Sequence, residues 1–191
     1  MKKNELLEQI DIKIRVGRSC VGIAYIIGTR AWVSTFKTYV GPGTINIHSG
    51  KNDHVFIIDE PKKLIERYED PKILNEDGLN IIRLGSKDML TQTFELIRQY
   101  CKDTHQTPTL ESRPWYQFAR LVRNSFSHDF TLSFKTRSGK MLSDQKLQFL
   151  DRIIELKTSM NGQELDLDVL PMKYVFELVE MMKQCVIREL A

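Results

Sequence analysis

Arg113-Pro114-Trp115-Tyr116-Gln117-Phe118-Ala119-Arg120-Leu121-Val122-Arg123-Asn124-Ser125-Phe126-Ser127-His128 is the stretch on which the reading of this chain turns. Proline sits in a first turn, and no helix breaker follows it. At about 100° per residue, with Trp115 at zero, Phe118, Ala119, Leu121, Val122, Ser125 and Phe126 fall between roughly 240° and 40°. That is an apolar face for a core. Arg123, Ser127, Arg120, Asn124 and His128 fall between roughly 80° and 220°, on the opposite side. The spacing therefore predicts an amphipathic helix with one dense polar face.

The residue types on that face suit phosphodiester chemistry. Arginine presents a planar fork of donors that matches two phosphate oxygens and stays charged. Histidine exchanges protons near neutrality and serves as general acid or base. Asn124 and His128 are i,i+4 neighbours and can touch. Arg123 lies about 140° from His128 on an ideal helix, so the two meet at one phosphate only through the long arginine side chain or a partner surface. The plainer alternative is a solvated polar face with a histidine near the negative end of the helix dipole.

Working outward, most of the chain reads as helix. Residues 4 to 37 carry Leu6, Ile10, Ile14, Gly17, Val21 and Tyr25 at spacings of three and four, with Asn4 as a cap. Val40-Gly41-Pro42-Gly43 ends that segment. Thr44–His48 and His54–Ile58 alternate around a turn-rich stretch and predict a small hairpin. A helix is expected near 61–69, irregular chain over 71–85, and a helix from Ser86 or Asp88 to about Lys102 with Leu90, Phe94, Ile97 and Cys101 on one stripe. Residues 104–112 read as a loop. After the central helix, Thr131–Phe134 and Lys140–Leu142 flank Ser138-Gly139 as a hairpin or an extended excursion. Asp144 is expected to cap a helix over 145–157, Asn161-Gly162 to turn, 164–169 to form a short strand, and Pro171 to open a last helix through about Arg188. The fold class expected is mainly α: a bundle of four to five main helices with small β excursions.

Composition fits that reading. The chain has 191 residues, 41% hydrophobic and 28% charged, with a net charge of +3. Such a chain buries enough surface to fold without staples, and its charge alone does not argue for nucleic acid. Cys20, Cys101 and Cys185 are too few and too scattered for a disulfide framework or a metal knuckle. The start, MKKNELLEQIDIKIR, lacks the apolar core of a secretory signal. The longest apolar run, Cys20 to Gly28, falls short of the roughly 20 residues a membrane span needs. These features together predict a cytoplasmic protein with no membrane partner.

Other motifs carry less. His48 and His54 flank Asp53 at a spacing too wide and too sparse for metal ligation. His105 sits in a polar loop. Gly41-Pro42-Gly43 lacks the spacing and lysine of a phosphate loop, so no cofactor is expected. Ser125 and Ser127 stand near His128 without the glycines of a nucleophile elbow. Met172, Met181 and Met182 read as adaptable packing. Trp115 and Tyr116 have the chemistry to stack a base, but Trp115 falls on the apolar face.

The motif Arg123-Asn124-x-x-x-His128, late in an amphipathic helix of an all-α chain, resembles that of the HEPN superfamily. Trp115, Phe118, Leu121 and Val122 also look like that family's motif helix. The resemblance is strongest over 113–130 and extends loosely to the helices at 4–37, 88–102 and 171–188. It implies a single helical domain over 1–191, with the stretch at about 41–86 as an insertion. It implies a homodimer whose paired motif helices form one composite cleft. It implies a metal-independent endoribonuclease, in a toxin–antitoxin, phage-defence or RNA-processing setting. RNA is then the substrate, and an antitoxin or another protein is a partner. Arg123 would hold the scissile phosphate, His128 would act as general acid or base, and Asn124 would orient His128 or the phosphate. Arg120 is added from its place on the polar face, for backbone binding. Some members are inactive, so a non-catalytic module binding nucleic acid, nucleotide or protein is the alternative.

Overall fold

The computed structural model describes residues 1–28, 45–49, 54–58, 70–136, 139–166 and 168–190. Among them the chain is mainly helical. The helices are α1 (Lys3–Gly28), α2 (Pro71–Asp103), α3 (Thr107–Glu111), α4 (Tyr116–Ser127) and α5 (Met172–Glu189). Two antiparallel hairpins accompany them: β1 (Ile45–Ser49) with β2 (His54–Ile58), and β3 (Gln145–Gln148) with β4 (Ile153–Leu156). The chain divides into two compact units, one of Met1–Arg18 with Leu84–Ala191 and one of Ser19–Arg83. Most of the stretch at about 41–86 falls in the second.

The first unit is built around α4. Tyr116, Phe118, Ala119, Leu121, Val122, Ser125 and Phe126 are all buried. Each large apolar side chain so placed contributes about 1.5–3 kcal/mol relative to an exposed one. They join Leu6, Ile10 and Ile14 of α1, Leu90, Phe94, Ile97 and Cys101 of α2, and Tyr174, Val175, Leu178 and Val179 of α5 in one core. Phe118 meets Phe149 edge-on at 5.9 Å, and Phe149 in turn meets Tyr174 at 4.9 Å. Gly17 lets α1 approach α2 closely. A Cβ there would stand 2.7 Å from Met89 Sδ.

In the second unit, β1 pairs with β2 in the register Ile45↔Ile58 through Ser49↔His54, the hairpin that the alternation predicts. The helix expected over 61–69, and the far end of the first helix beyond Gly28, lie outside the described residues.

Other parts of the chain depart from their sequence pattern. Residues 71–85 are not irregular; α2 runs unbroken from Pro71 to Asp103. Asp70 starts it, its Oδ1 accepting the Lys72 N–H at 2.8 Å, with proline in the first turn. Its inward stripe passes through Leu74, Gly78, Gly85 and Met89, so two glycines stand where larger apolar residues would have marked the helix. Residues 104–112 are not all loop, since α3 forms with Pro108 near its start. Residues 145–157 are not a helix but the hairpin β3–β4, with Gln145↔Leu156 and Gln148↔Ile153. Leu147, Phe149, Ile154 and Leu156 are buried, whereas Leu150 and Ile153 are exposed by 91% and 62%. A helical period would have buried those last two; the period of two wins. Asp144 caps no helix; its Oδ1 accepts the Thr158 N–H at 2.7 Å and the Thr158 hydroxyl at 2.9 Å. Finally, the described residues of 164–169 form no strand; Glu164 makes an isolated bridge to Thr131.

Asn4 does not cap α1, which already begins at Lys3, with the Lys2 N–H donating to Glu5 Oε2 at 2.9 Å. Three further features agree with the sequence pattern. Lys135 and Met141 bridge across the excursion. Asn161-Gly162 turns, with Gly162 at φ +82° and Asn161 Oδ1 accepting the Phe134 N–H at 2.9 Å. Pro171 stands immediately before α5.

Candidate functional site

The polar face of α4 is as the sequence places it. Arg120, Arg123 and Asn124 are partly exposed, and Ser127 and His128 are exposed. Arg123 Nη2 pairs with Glu95 Oε1 of α2 at 2.6 Å, with the side chains 29% and 38% exposed. Arg123 Nη1 also donates to Asn124 Oδ1 at 3.0 Å. Its Nε is buried and makes no hydrogen bond among the described residues. Asn124 thus fixes the guanidinium of its own neighbour in sequence. The contact with His128 that the i,i+4 spacing allows is not made as a hydrogen bond among the described residues, because the helix stops at Ser127 and His128 leaves its geometry.

His128 is the residue that ends α4. Its backbone lies at φ −122°, ψ 54°, and its N–H donates to Ser125 O at 3.0 Å. Asp129 and Phe130 follow at φ 49° and 61°. Two consecutive left-handed residues, one bulky, store strain on the order of 1–3 kcal/mol each. The surroundings hold them there. Thr131 N donates to His128 O at 2.9 Å, Leu165 N donates to Phe130 O at 2.7 Å, and the Phe130 ring packs on Phe126 at 5.0 Å. The turn projects the imidazole into solvent with no hydrogen bond or ion pair among the described residues.

The hydroxyls near His128 are engaged with backbone. Ser125 Oγ donates to Val122 O at 2.7 Å and Ser127 Oγ to Arg123 O at 3.1 Å. Neither is directed at the imidazole as a nucleophile would be. Trp115 and Tyr116 are both buried, so neither presents an open ring for a base. Tyr116 instead donates to Glu111 Oε1 at 3.3 Å. Burial pushes its phenol up, Glu111 adds to that, and the charges of Arg98 and Arg120 act in the opposite direction.

Glu95 and Arg98 are the residues that sequence reasoning missed. Arg98 Nη1 donates to Glu95 Oε2 at 3.1 Å, one turn along α2. Both stand beside the buried stripe of Phe94, Ile97 and Cys101, and an i,i+3 pair on a helix flank carries no signal of a distant partner. Only the packing of α2 on α4 brings Glu95 to Arg123. Among the described residues no group of three or more His, Cys, Asp or Glu gathers as metal ligands, and no helix is long and apolar enough to cross a membrane.

No protein-family model, curated protein or solved structure matches the chain.

Proposed function

We propose that this chain is a HEPN-type, metal-independent endoribonuclease, acting as a homodimer on RNA through Arg123, Asn124 and His128. The observation that carries it is an oriented guanidinium on α4 together with a solvent-facing imidazole at that helix's end. Arg123 is held by Asn124 and Glu95, and His128 is projected by a strained turn at the helix end. Strain of that kind persists where surrounding structure enforces it, and it clusters at functional sites.

In the reaction, the ribose 2′-oxygen attacks the adjacent phosphorus and gives up its proton to a base. The P–O5′ bond breaks, and the 5′-oxygen takes a proton. A 2′,3′-cyclic phosphate and a 5′-hydroxyl result. Arg123 bears the charge that builds on the non-bridging oxygens, and His128 takes or gives a proton. Asn124 keeps the Arg123 fork in plane. Arg120, one turn back on the same face, binds the strand's backbone. Two copies of α4 meeting across a twofold axis bring a second imidazole to the cleft. The setting that suits such an enzyme is toxin–antitoxin or phage defence, with a protein partner restraining it.

A second reading draws on the Glu95–Arg123 pair. An arginine already matched by a carboxylate also suits a non-catalytic module that binds nucleotide, nucleic acid or protein. Incubation of purified protein with RNA in EDTA separates the two. Cleavage that depends on Arg123 and His128 supports the nuclease, and absence of cleavage by a dimeric, folded protein supports the module.

A further inference from the structure

Beside the Glu95–Arg123 pair lies a cleft of about 250 Å³, lined in part by Glu95, Arg98, Gln99, Lys102 and Tyr116. Its edge holds an arrangement of which the proposed chemistry uses Arg123 and Glu95 but not Arg98. The carboxylate of Glu95 takes Arg123 Nη2 at 2.6 Å from α4, and Arg98 Nη1 at 3.1 and 3.3 Å from α2. One anion thus sits between two guanidinium forks that come from different helices. The side chains of Arg98, Glu95 and Arg123 are 48%, 38% and 29% exposed, so an incoming anion reaches all three.

We propose that Arg98 and Arg123 form a single phosphate-binding site for a backbone phosphate of RNA, and that the Glu95 carboxylate occupies that site when no strand is bound. The identity of the anion rests on the nuclease reading above; the convergence of the two forks does not. Guanidinium donors that converge on a carboxylate match phosphate oxygens equally well, and phosphate offers more of them and more charge. Solvent-exposed ion pairs are weak, so exchanging the internal carboxylate for a phosphate meets little resistance. Arg98 is steadied for the task by the Phe94 ring, 6.0 Å beneath its guanidinium, and Phe94 itself stacks on Tyr116. Lys102, one turn further along α2, lines the same cleft and adds positive charge along the path of the strand.

The probe is a fluorescent 2′-O-methyl RNA oligonucleotide, which binds but cannot be cleaved because its 2′-oxygen is blocked. Its affinity is read by anisotropy over a series of salt concentrations for the full-length protein and its variants. Arg98→Ala is expected to weaken binding about tenfold and to lower the salt slope by about one. Arg98→Lys keeps the slope and recovers part of the affinity, since charge remains but the fork is lost. Glu95→Gln, near in shape but neutral, is expected to bind several-fold more tightly than wild type. If Arg98→Ala binds with unchanged affinity and slope while Arg123→Ala loses binding, the shared site is overturned and the nuclease reading stands. Glu95→Gln binding no tighter than wild type overturns the occupancy by Glu95. If wild type itself fails to bind, both this inference and the nuclease reading fall.

Discussion

Glu95 on α2 and Arg123 on α4 meet at 2.6 Å, with about a third of each side chain open to water. This contact ties the motif helix to the longest helix of the described chain at the arginine assigned to the scissile phosphate. Its exposure sets its strength. Ion pairs this open contribute about 0–1 kcal/mol.

Glu95→Gln should therefore leave the protein folded and shift its melting temperature by no more than about 2–4 °C. Calorimetry of the variant beside wild type checks this. A much larger loss would mean that the pair is structural and not an exchangeable anion contact.

The glycines of α1 should respond in opposite directions. Gly17→Ala puts a methyl group 2.7 Å from Met89 Sδ and 3.3 Å from its Cβ. Overpacking of about 1–3 kcal/mol should exceed the roughly 1 kcal/mol gained in helix propensity. Gly22→Ala meets nothing within 4 Å and should gain about 0.5–1 kcal/mol. Urea denaturation of the two variants gives both signs in one experiment.

Asp144 predicts an acid limb. Hydrogen bonds from the Thr158 backbone and hydroxyl hold its carboxyl below the usual carboxylate range. A group depressed in the folded state stabilises it above the unfolded carboxylate value, about 3.9, and loses that contribution as pH falls through the folded value. Asp151, held down by Lys173 and the Tyr174 hydroxyl, acts in the same direction. Asp144→Asn should then show a smaller fall in stability below about pH 4 than wild type. Denaturation midpoints measured from pH 2 to pH 7 would show it.

The thiols should divide by burial. Burial, with a lesser contribution from Cys185, pushes the Cys101 thiol up to about 11, and burial raises Cys185. Only Cys20 is partly exposed. Since the thiolate is the reactive form, a disulfide reagent at pH 8 should label one cysteine quickly and the other two only on unfolding.

The central helix was legible from sequence because a single 3.6-residue period runs through it without a breaker. Each residue assigned to its apolar face, Phe118 through Phe126, is buried. The first hairpin and the start of α5 were legible from alternation and from Pro171. The second hairpin was not, because Leu147, Leu150 and Ile153-Ile154 satisfy a helical spacing as readily as a strand. The choice was made by cross-strand pairing and by the core under Leu147 and Phe149. The length of α2 was hidden by Gly78 and Gly85, whose missing side chains interrupt its apolar stripe. At the site, Arg123, Asn124 and His128 stood out as a group. The turn that separates His128 from Asn124, and the carboxylate that meets Arg123, arise from packing between elements distant in sequence.

The most direct measurement is the end chemistry of RNA fragments produced in EDTA by wild type and by an Arg123→Ala, His128→Ala double variant. Wild type should release fragments ending in 2′,3′-cyclic phosphate, and each single substitution should slow their appearance at least about 10²-fold with folding retained. Equal cleavage by the double variant would contradict the assignment of these residues.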